Sequence, residues 1–294
     1  MSTPTSTWSP ALPEAAGFEH HVVETPGLRT HLAVIGQGEP VVMLHGFPQH
    51  WWQWHDIAPA IAAHGYRVHC PDLRGAGWTE ADEPRIDRET RLHDLLALLD
   101  ALGIARAHVV SHDMGAVVAW QLTYDHPERV RTSVLLAVPP PFMAFDPRII
   151  PGFRHLPKFL WHRRGAPLDG FFSPPYVVRP MPSETVEAHL APMSIPEIDA
   201  AVRPLSRRFV VPEAMRMASG TYRRRRLTVP TLVVFGRRDW PWTERVLTRA
   251  CRDTDSRRAD HVEFAYVDDA AHYVTDDAPA EVADLVLDWF GRVR

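Results

Sequence analysis

Short runs rich in valine, isoleucine and leucine alternate along the chain with longer stretches in which apolar residues recur at helical spacing. This alternation predicts an α/β protein with a mainly parallel sheet. Eight runs, counted with the loop residues that follow them, indicate strands: 18–27, 28–38, 40–46, 66–75, 106–115, 131–138, 229–239 and 262–272. Helices are predicted over 51–65, 89–104, 116–130, 243–252 and 279–294.

The alternation stops between residues 139 and 227. This segment is rich in proline, phenylalanine, tryptophan and arginine and shows no strand-like pattern. A departure of this length, flanked by predicted strands, is too long for an ordinary loop. We therefore predict a core formed by residues 1–138 and 228–294, and a helical cap (lid) formed by residues 139–227 and inserted after the sixth predicted strand.

The fifth predicted strand runs into Ser111-His112-Asp113-Met114-Gly115, and a helical pattern follows at once. Small residues on both sides allow a sharp strand-to-helix turn that lifts the middle side chain above the sheet edge. Asp113 then stands where esterases place serine, and its carboxylate can attack an electrophilic carbon to form an ester. The alternative is an aspartate that caps the helix. Ser111, His112 and Asp113 cannot form a triad themselves, because neighbouring strand side chains point to opposite faces.

The loop after the third predicted strand reads His45-Gly46-Phe47-Pro48. In a fold of this kind, one backbone N–H from this loop and one from the residue after the nucleophile stabilise negative charge that develops during the reaction. Here these donors would be Phe47 and Met114. Pro48 has no N–H, and we expect a cis Phe47–Pro48 bond. The alternative is an ordinary proline turn.

Two more polar side chains follow predicted strands. Asp239 ends the seventh and His272 follows the eighth, and open α/β sheets place their sites at the carboxyl ends of strands. One large hydrolase fold places its nucleophile, acid and base in that order along the chain. Asp113 as nucleophile, Asp239 as acid and His272 as base follow the same order. Asp268 and Asp269 are closer to His272 in sequence, but we interpret them as turn residues.

Composition excludes several other functions. The formal net charge is -4, so there is no basic surface for nucleic acid or anionic membrane. Only Cys70 and Cys251 are present, without a CxxC pair, which fits a cytoplasmic location. The N-terminus lacks the features of a signal peptide, and no apolar run is long enough to cross a bilayer. The histidines show no metal-ligand spacing, and we interpret the arginines at 223–226 as a solvated cap face.

Together these motifs resemble the epoxide hydrolase and haloalkane dehalogenase branch of the α/β-hydrolase superfamily, from Phe18 to the C-terminus. The residues that carry the resemblance are 45–48 with Trp51, Trp52 and Trp54 just after them, the nucleophile turn 112–115, and the loop 71–75. The resemblance implies an α/β-hydrolase fold, with a mostly parallel eight-stranded sheet, helices on both faces and an inserted helical cap.

Within this branch the resemblance favours epoxide hydrolases. Haloalkane dehalogenases hold the departing halide with side-chain N–H donors at positions that here are Phe47 and Met114, which have none. Fluoroacetate dehalogenases place arginines where this chain has Met114 and Val117. Epoxide hydrolases instead carry acids on the cap, usually two tyrosines, that protonate the epoxide oxygen. Tyr222 matches the second of these by its place in the chain.

The sequence offers three candidates for the first cap acid. His155 stands where a tyrosine is usual, and its ring N–H can donate a hydrogen bond. Tyr176 and His162 are alternatives for the same role.

We therefore expect an epoxide hydrolase. Asp113 would form an alkyl-enzyme ester, and His272, oriented by Asp239, would activate the water that releases a vicinal diol. The expected partners are water and a small apolar epoxide that contacts Trp52 and Phe159, without cofactor, metal, nucleic acid or membrane. The oligomeric state stays open, with a homodimer among the options. The alternatives are a haloalkane or haloacid dehalogenase with the same nucleophile, and a non-catalytic ligand-binding protein of this fold.

Overall fold

The computed structural model describes residues 8–251 and 258–293, and nine strands of that part form one sheet. The strands are β1 Glu19–Thr25, β2 Leu28–Gly36, β3 Glu39–Leu44, β4 Tyr66–Pro71, β5 Glu80–Ala81, β6 Ala107–His112, β7 Val130–Leu136, β8 Thr231–Gly236 and β9 Val262–Val267. Their order is β1-β2-β4-β3-β6-β7-β8-β9, with β5 beside β2. β2 pairs antiparallel with β1, β4 and β5, and the neighbours from β4 to β9 are parallel.

Helices cover both faces of this sheet. Those of the core are α1 Ile57–Ala63, α2 Arg88–Ala101, α3 Asp113–Asp125, α8 Glu244–Cys251, α9 Val274–Asp277 and α10 Pro279–Arg292. In β3, Val41 and Met43 belong to the apolar cluster that holds α1 and α10. Val42 and Leu44 belong to the cluster that holds α2, α3 and α8. Successive strand residues point to opposite faces, so one apolar strand supplies both cores.

Residues 139–227, which we call the cap, contain no strand of the sheet. They form α4 Leu156–Leu160, α5 Ser183–Leu190, α6 Pro196–Pro204 and α7 Val211–Ala218, with a π-helical turn at Leu205–Val210 and several 3₁₀ turns. The segment lies between β7 and β8. β7 is the sixth of the strands predicted from the sequence, because the short β5 was not among them.

Two local predictions need correction. β5 escaped prediction because its two residues are exposed and carry no apolar run. The predicted helix 51–65 is a 3₁₀ turn at Trp51–Trp54 followed by α1. The 3₁₀ turn starts at His50, whose ring accepts the Trp52 N–H at 3.3 Å. Residues 252 and 294, at the ends of two predicted helices, lie outside the described residues.

Candidate active site

Asp113 lies at a sharp turn between β6 and α3. Its backbone φ is +47°, in the left-handed region that residues other than glycine rarely adopt. The turn packs tightly against the end of β3, since a Cβ on Gly115 would come within 2.2 Å of the Leu44 carbonyl oxygen. Glycine is therefore required at position 115, because the backbone of the turn and that of β3 approach each other so closely. Backbone strain of this kind costs about 1–3 kcal/mol and is typical of functional sites.

Backbone and side-chain donors surround the Asp113 carboxylate. The Phe47 N–H donates to Oδ1 at 3.1 Å, which is the contact predicted for the His45–Pro48 loop. The Phe47–Pro48 peptide bond is cis, as predicted. Met114 lines the same space, and its N–H belongs to the first turn of α3, where amides lack an acceptor within the helix. The role of the Phe47 and Met114 N–H groups as oxyanion donors stays a prediction.

His272 stands between two carboxyl groups. Its Nε2 lies 3.5 Å from Asp113 Oδ2, and its Nδ1 lies 3.2 Å from Asp239 Oδ2. The structure therefore brings together the three residues that the sequence placed after β6, β8 and β9. Asp268 and Asp269 form exposed ion pairs with arginines instead, at 2.5 and 2.7 Å. The interpretation of these two as turn residues holds.

The charges of these groups depend on one another. Burial alone would raise the pKa of Asp113, but the hydrogen bond and charge of His272 outweigh it and hold that pKa well below its usual range. Burial would likewise lower the pKa of His272. The charge of Asp239 and the hydrogen bonds to both carboxyl groups outweigh burial and raise it to about 10. These shifts favour an imidazolium at His272 beside an ionised Asp113 at neutral pH.

Ser111 and His112, which precede Asp113, each bond to a backbone carbonyl oxygen. Ser111 Oγ donates to the Val134 carbonyl oxygen at 3.1 Å, on the side of β7. His112 Nε2 lies 2.9 Å from the His272 carbonyl oxygen, and burial lowers the pKa of His112 to about 4, so the ring is neutral. As expected, these residues do not form a triad with Asp113. His112 fixes the backbone of the loop that carries His272.

A cavity of about 120 Å³ lies between the core and the cap, and Asp113, Asp239 and His272 line it. Its other core residues are Phe47, Met114, Val117, Trp120, Ala137, Val138, Trp240, Trp242 and Tyr273. Its cap residues are Pro139, Gly152, Phe153, Arg154, His155, Phe159, Phe171, Pro175, Tyr176, Val210, Glu213, Ala214 and Met217. The lining is mostly apolar, with few polar groups on the cap side.

Two of the three candidates for the first cap acid reach this cavity. His155 lines it, and burial lowers the pKa of His155 to about 4 despite the nearby charge of Asp113. Tyr176 lines it as well, with its ring 6.4 Å from that of His155. His162 is buried elsewhere and pairs with Asp199 at 2.6 Å.

The structure corrects the assignment of Tyr222. This side chain is 1% exposed and is not among the residues that line the cavity. Its hydroxyl donates to Glu213 Oε2 at 2.5 Å and accepts from Arg88 Nη1 at 2.6 Å. The ring packs against Tyr124 of α3, at 5.2 Å between centroids. Tyr222 is thus held between the cap and α2, where it cannot protonate a substrate.

The substrate contact expected of Trp52 is also corrected. Its ring stacks on His55, at 4.0 Å between centroids, and its Nε1 donates to the Glu14 carbonyl oxygen at 3.2 Å. It does not line the cavity, whereas Phe159 does. Tyr273, Arg154 and Glu213 also line the cavity but were not predicted from the sequence. Tyr273 directly follows His272, which was a usable signal, but the role of Glu213 depends on tertiary packing.

Comparison with known proteins identifies the architecture. A family model described as alpha/beta hydrolase fold matches residues 39–163. A proposed epoxide hydrolase from Pseudomonas aeruginosa superimposes with a TM-score of 0.77 and 26% sequence identity, over 96% of this chain and 98% of that one. The chain has the α/β-hydrolase fold. The predicted fold class is therefore confirmed.

Curated proteins similar to this α/β hydrolase include several epoxide hydrolases. Epoxide hydrolase 2 from Siraitia grosvenorii is 41% identical over 144 residues, which are 47% of this chain and 45% of that protein. Soluble epoxide hydrolase from Corynebacterium sp. is 36% identical over 121 residues, 41% of this chain and 42% of that protein. The matched segments thus cover less than half the length of this chain and of these relatives. Among its described residues, no helix is both long and apolar enough to span a membrane.

Proposed function

We propose that this α/β hydrolase is an epoxide hydrolase that works through an ester on Asp113. The observation that carries the proposal is the arrangement around the carboxylate at the strand-to-helix turn. His272 Nε2 lies 3.5 Å from Asp113 Oδ2, and His272 Nδ1 lies 3.2 Å from Asp239 Oδ2. A carboxylate nucleophile forms an ester whose hydrolysis needs a base and an oxyanion site, and both stand beside it. The names of the similar curated proteins support the same reaction.

In the first half-reaction, Asp113 Oδ2 attacks an epoxide carbon and the carbon–oxygen bond of the ring breaks. The low pKa of Asp113 keeps it ionised and ready at neutral pH. The departing oxygen must take up a proton, which the Tyr176 phenol can supply, while the neutral ring of His155 can donate a hydrogen bond to the same oxygen. A neutral imidazole has one N–H donor and a phenol has one O–H donor. His155 and Tyr176 thus take the place of the predicted pair of cap acids, which contained Tyr222.

In the second half-reaction, His272 takes a proton from water as that water attacks the Asp113 carboxyl carbon. Ester formation removes the negative charge of Asp113, which is one of the causes that raise the pKa of His272. The pKa of His272 must therefore fall once the ester exists, so that it releases its proton to solvent and becomes a base when one is needed. Phe47 already donates to Oδ1, the oxygen that becomes negative during this attack. The product is a vicinal diol.

The test compares wild type with Asp113→Asn on a small panel of epoxides that includes 1,2-epoxybutane and styrene oxide. The variant should fold and form no diol, whereas Asp268→Asn, which changes an exposed paired carboxylate, should retain activity. Single turnover in heavy-oxygen water should label the Asp113 carboxylate. Label found only in the diol would mean that water attacks the epoxide directly. Halide release from haloalkanes or haloacids without diol formation would favour a dehalogenase, and binding without turnover would indicate a receptor.

A further inference from the structure

We infer that Arg154 binds a carboxylate of the substrate, so that the enzyme acts on a small epoxide that carries an acid group. This inference rests on the proposed function and deepens it by naming the substrate class. Three features of the structure support it: the position of Arg154 in the cavity, the contacts of its guanidinium, and its lack of an acidic partner.

Arg154 lines the same cavity as Asp113 and precedes His155 in the chain. Its guanidinium lies over two aromatic rings, 5.7 Å from the centre of Tyr176 and 5.5 Å from that of Trp240. A cation–π contact attracts the charge to the face of the aromatic ring and uses no hydrogen bond of the guanidinium, which has five N–H donors. The two rings can therefore hold the charge in place while donors stay available to a ligand.

No carboxylate of the described residues lies within 4.0 Å of the Arg154 guanidinium. Other arginines near the site differ in this respect. Arg88 and Arg216 both pair with Glu213, at 3.0 and 2.7 Å, and Arg238 pairs with Asp269 at 2.7 Å. Burial raises the pKa of Asp239, and the charge of Arg154 opposes this rise from a distance. Arg154 thus offers a cation without a paired carboxylate to a cavity whose lining is mostly apolar.

The charge and size of the cavity narrow the choice of ligand. A planar guanidinium matches a carboxylate by paired N–H···O bonds. Three acidic side chains, Asp113, Asp239 and Glu213, also line the cavity, and their charges disfavour a dianion such as a phosphate ester. An apolar cavity of about 150 Å³ holds benzene. At about 120 Å³, this cavity fits the buried part of a compact monoanion.

The test uses a matched pair of substrates, 3,4-epoxybutanoate and its neutral amide, 3,4-epoxybutanamide. Hydrogen bonds to charged groups contribute about 1.5–3 kcal/mol, which is roughly 10- to 100-fold in affinity. Because Arg154 is exposed, we expect the lower end, with kcat/KM about 10-fold higher for the acid than for the amide in wild type. Arg154→Gln should bring this ratio close to one, mainly through KM for the acid. Arg154→Lys should restore part of the preference.

Arg148→Gln is the matched control, because Arg148 is an exposed cap arginine that pairs with Asp146 outside the cavity. It should leave the acid-to-amide ratio unchanged. An equal ratio in wild type and Arg154→Gln, or an equal loss for both substrates, would overturn the inference. Turnover of the amide tests the proposed function separately. If neither epoxide opens, binding calorimetry with the unreactive butanoate and butanamide tests the inference instead. Wild type should bind butanoate more tightly than butanamide, and Arg154→Gln should bind the two equally.

Discussion

At the scale of single residues, Asp113 and His272 are expected to act in different halves of the reaction. In the proposed reaction, replacing His272 by Gln would remove the base that ester hydrolysis needs but leave the Asp113 carboxylate that attacks the epoxide. The alkyl-enzyme should therefore accumulate, and the mass of the intact protein should rise by one epoxide after mixing. The control is His261→Gln, which changes an exposed histidine paired with Glu263. Normal turnover by His272→Gln would refute the assignment.

Tyr222→Phe should lower stability rather than activity. The substitution leaves the buried Glu213 carboxylate without one of its donors, and loss of a hydrogen bond to a charged group costs about 1.5–3 kcal/mol. Thermal unfolding should show this loss while diol formation persists. Tyr124→Phe is the matched control, because the Tyr124 hydroxyl is buried without a hydrogen-bond partner. A drop in activity at unchanged melting temperature would reinstate Tyr222 as an acid.

The sequence predicted the core residues of the site better than those of the cap. Asp113, Asp239 and His272 each follow a strand, so the local pattern determines where each side chain stands. The direction of Tyr222 instead depends on Arg88, which lies in α2 of the core and meets it only in the folded chain. No local signal around Tyr222 contains that contact. For the same reason, the choice among His155, His162 and Tyr176 needed the structure.

At the scale of elements, the start of α3 is fixed by its contact with the end of β3. A methyl group on Gly115 would meet the Leu44 carbonyl oxygen at 2.2 Å, and a backbone atom cannot move aside cheaply. Gly115→Ala should therefore give insoluble or strongly destabilised protein. Gly291→Ala is the control, because nothing lies within 4 Å of the added methyl group in α10. This control should be neutral or stabilising by up to about 1 kcal/mol. A soluble, normally stable Gly115→Ala would contradict the tight contact.

Two buried polar clusters attach the cap to the core. In one, Arg88 of α2 pairs with Glu213 of α7. In the other, His189 of α5 lies 3.3 Å from Asp276 of α9, and the His50 ring contacts the Ala188 carbonyl oxygen at 3.0 Å. The sequence predicted the cap from the break in strand pattern, but not these attachments. Each joins residues more than eighty positions apart, and the fold alone brings them together.

At the scale of the whole molecule, stability should be greatest near neutral pH. Burial lowers the pKa of His20, His69 and His112 to about 4 and that of His50 to about 3. Between about pH 4 and the unfolded value near 6.5, the unfolded chain binds more protons, so stability must rise with pH there. His272 has the opposite effect. Its pKa of about 10 means that its contribution is lost as pH rises from about 6.5 toward 10.

Calorimetry from about pH 4.5 to 9.5 measures this profile as the melting temperature. His272→Gln should remove part of the alkaline decline and keep the acid slope. A melting temperature in wild type that continues to rise above pH 7 would show that the ion pairs of His272 do not stabilise the fold.

The two attachments of the cap also bear on the timing of the catalytic cycle. Rigid-body movement of a domain takes microseconds to milliseconds, whereas exposed side chains reorient in picoseconds to nanoseconds. With the cap fastened through Glu213 and His189, the product of the proposed reaction can leave by reorientation of Trp240, which is 52% exposed and lines the cavity. Product departure should then be fast, and the slowest event in each turnover should be chemical. Solvent viscosity would accordingly have little influence on kcat.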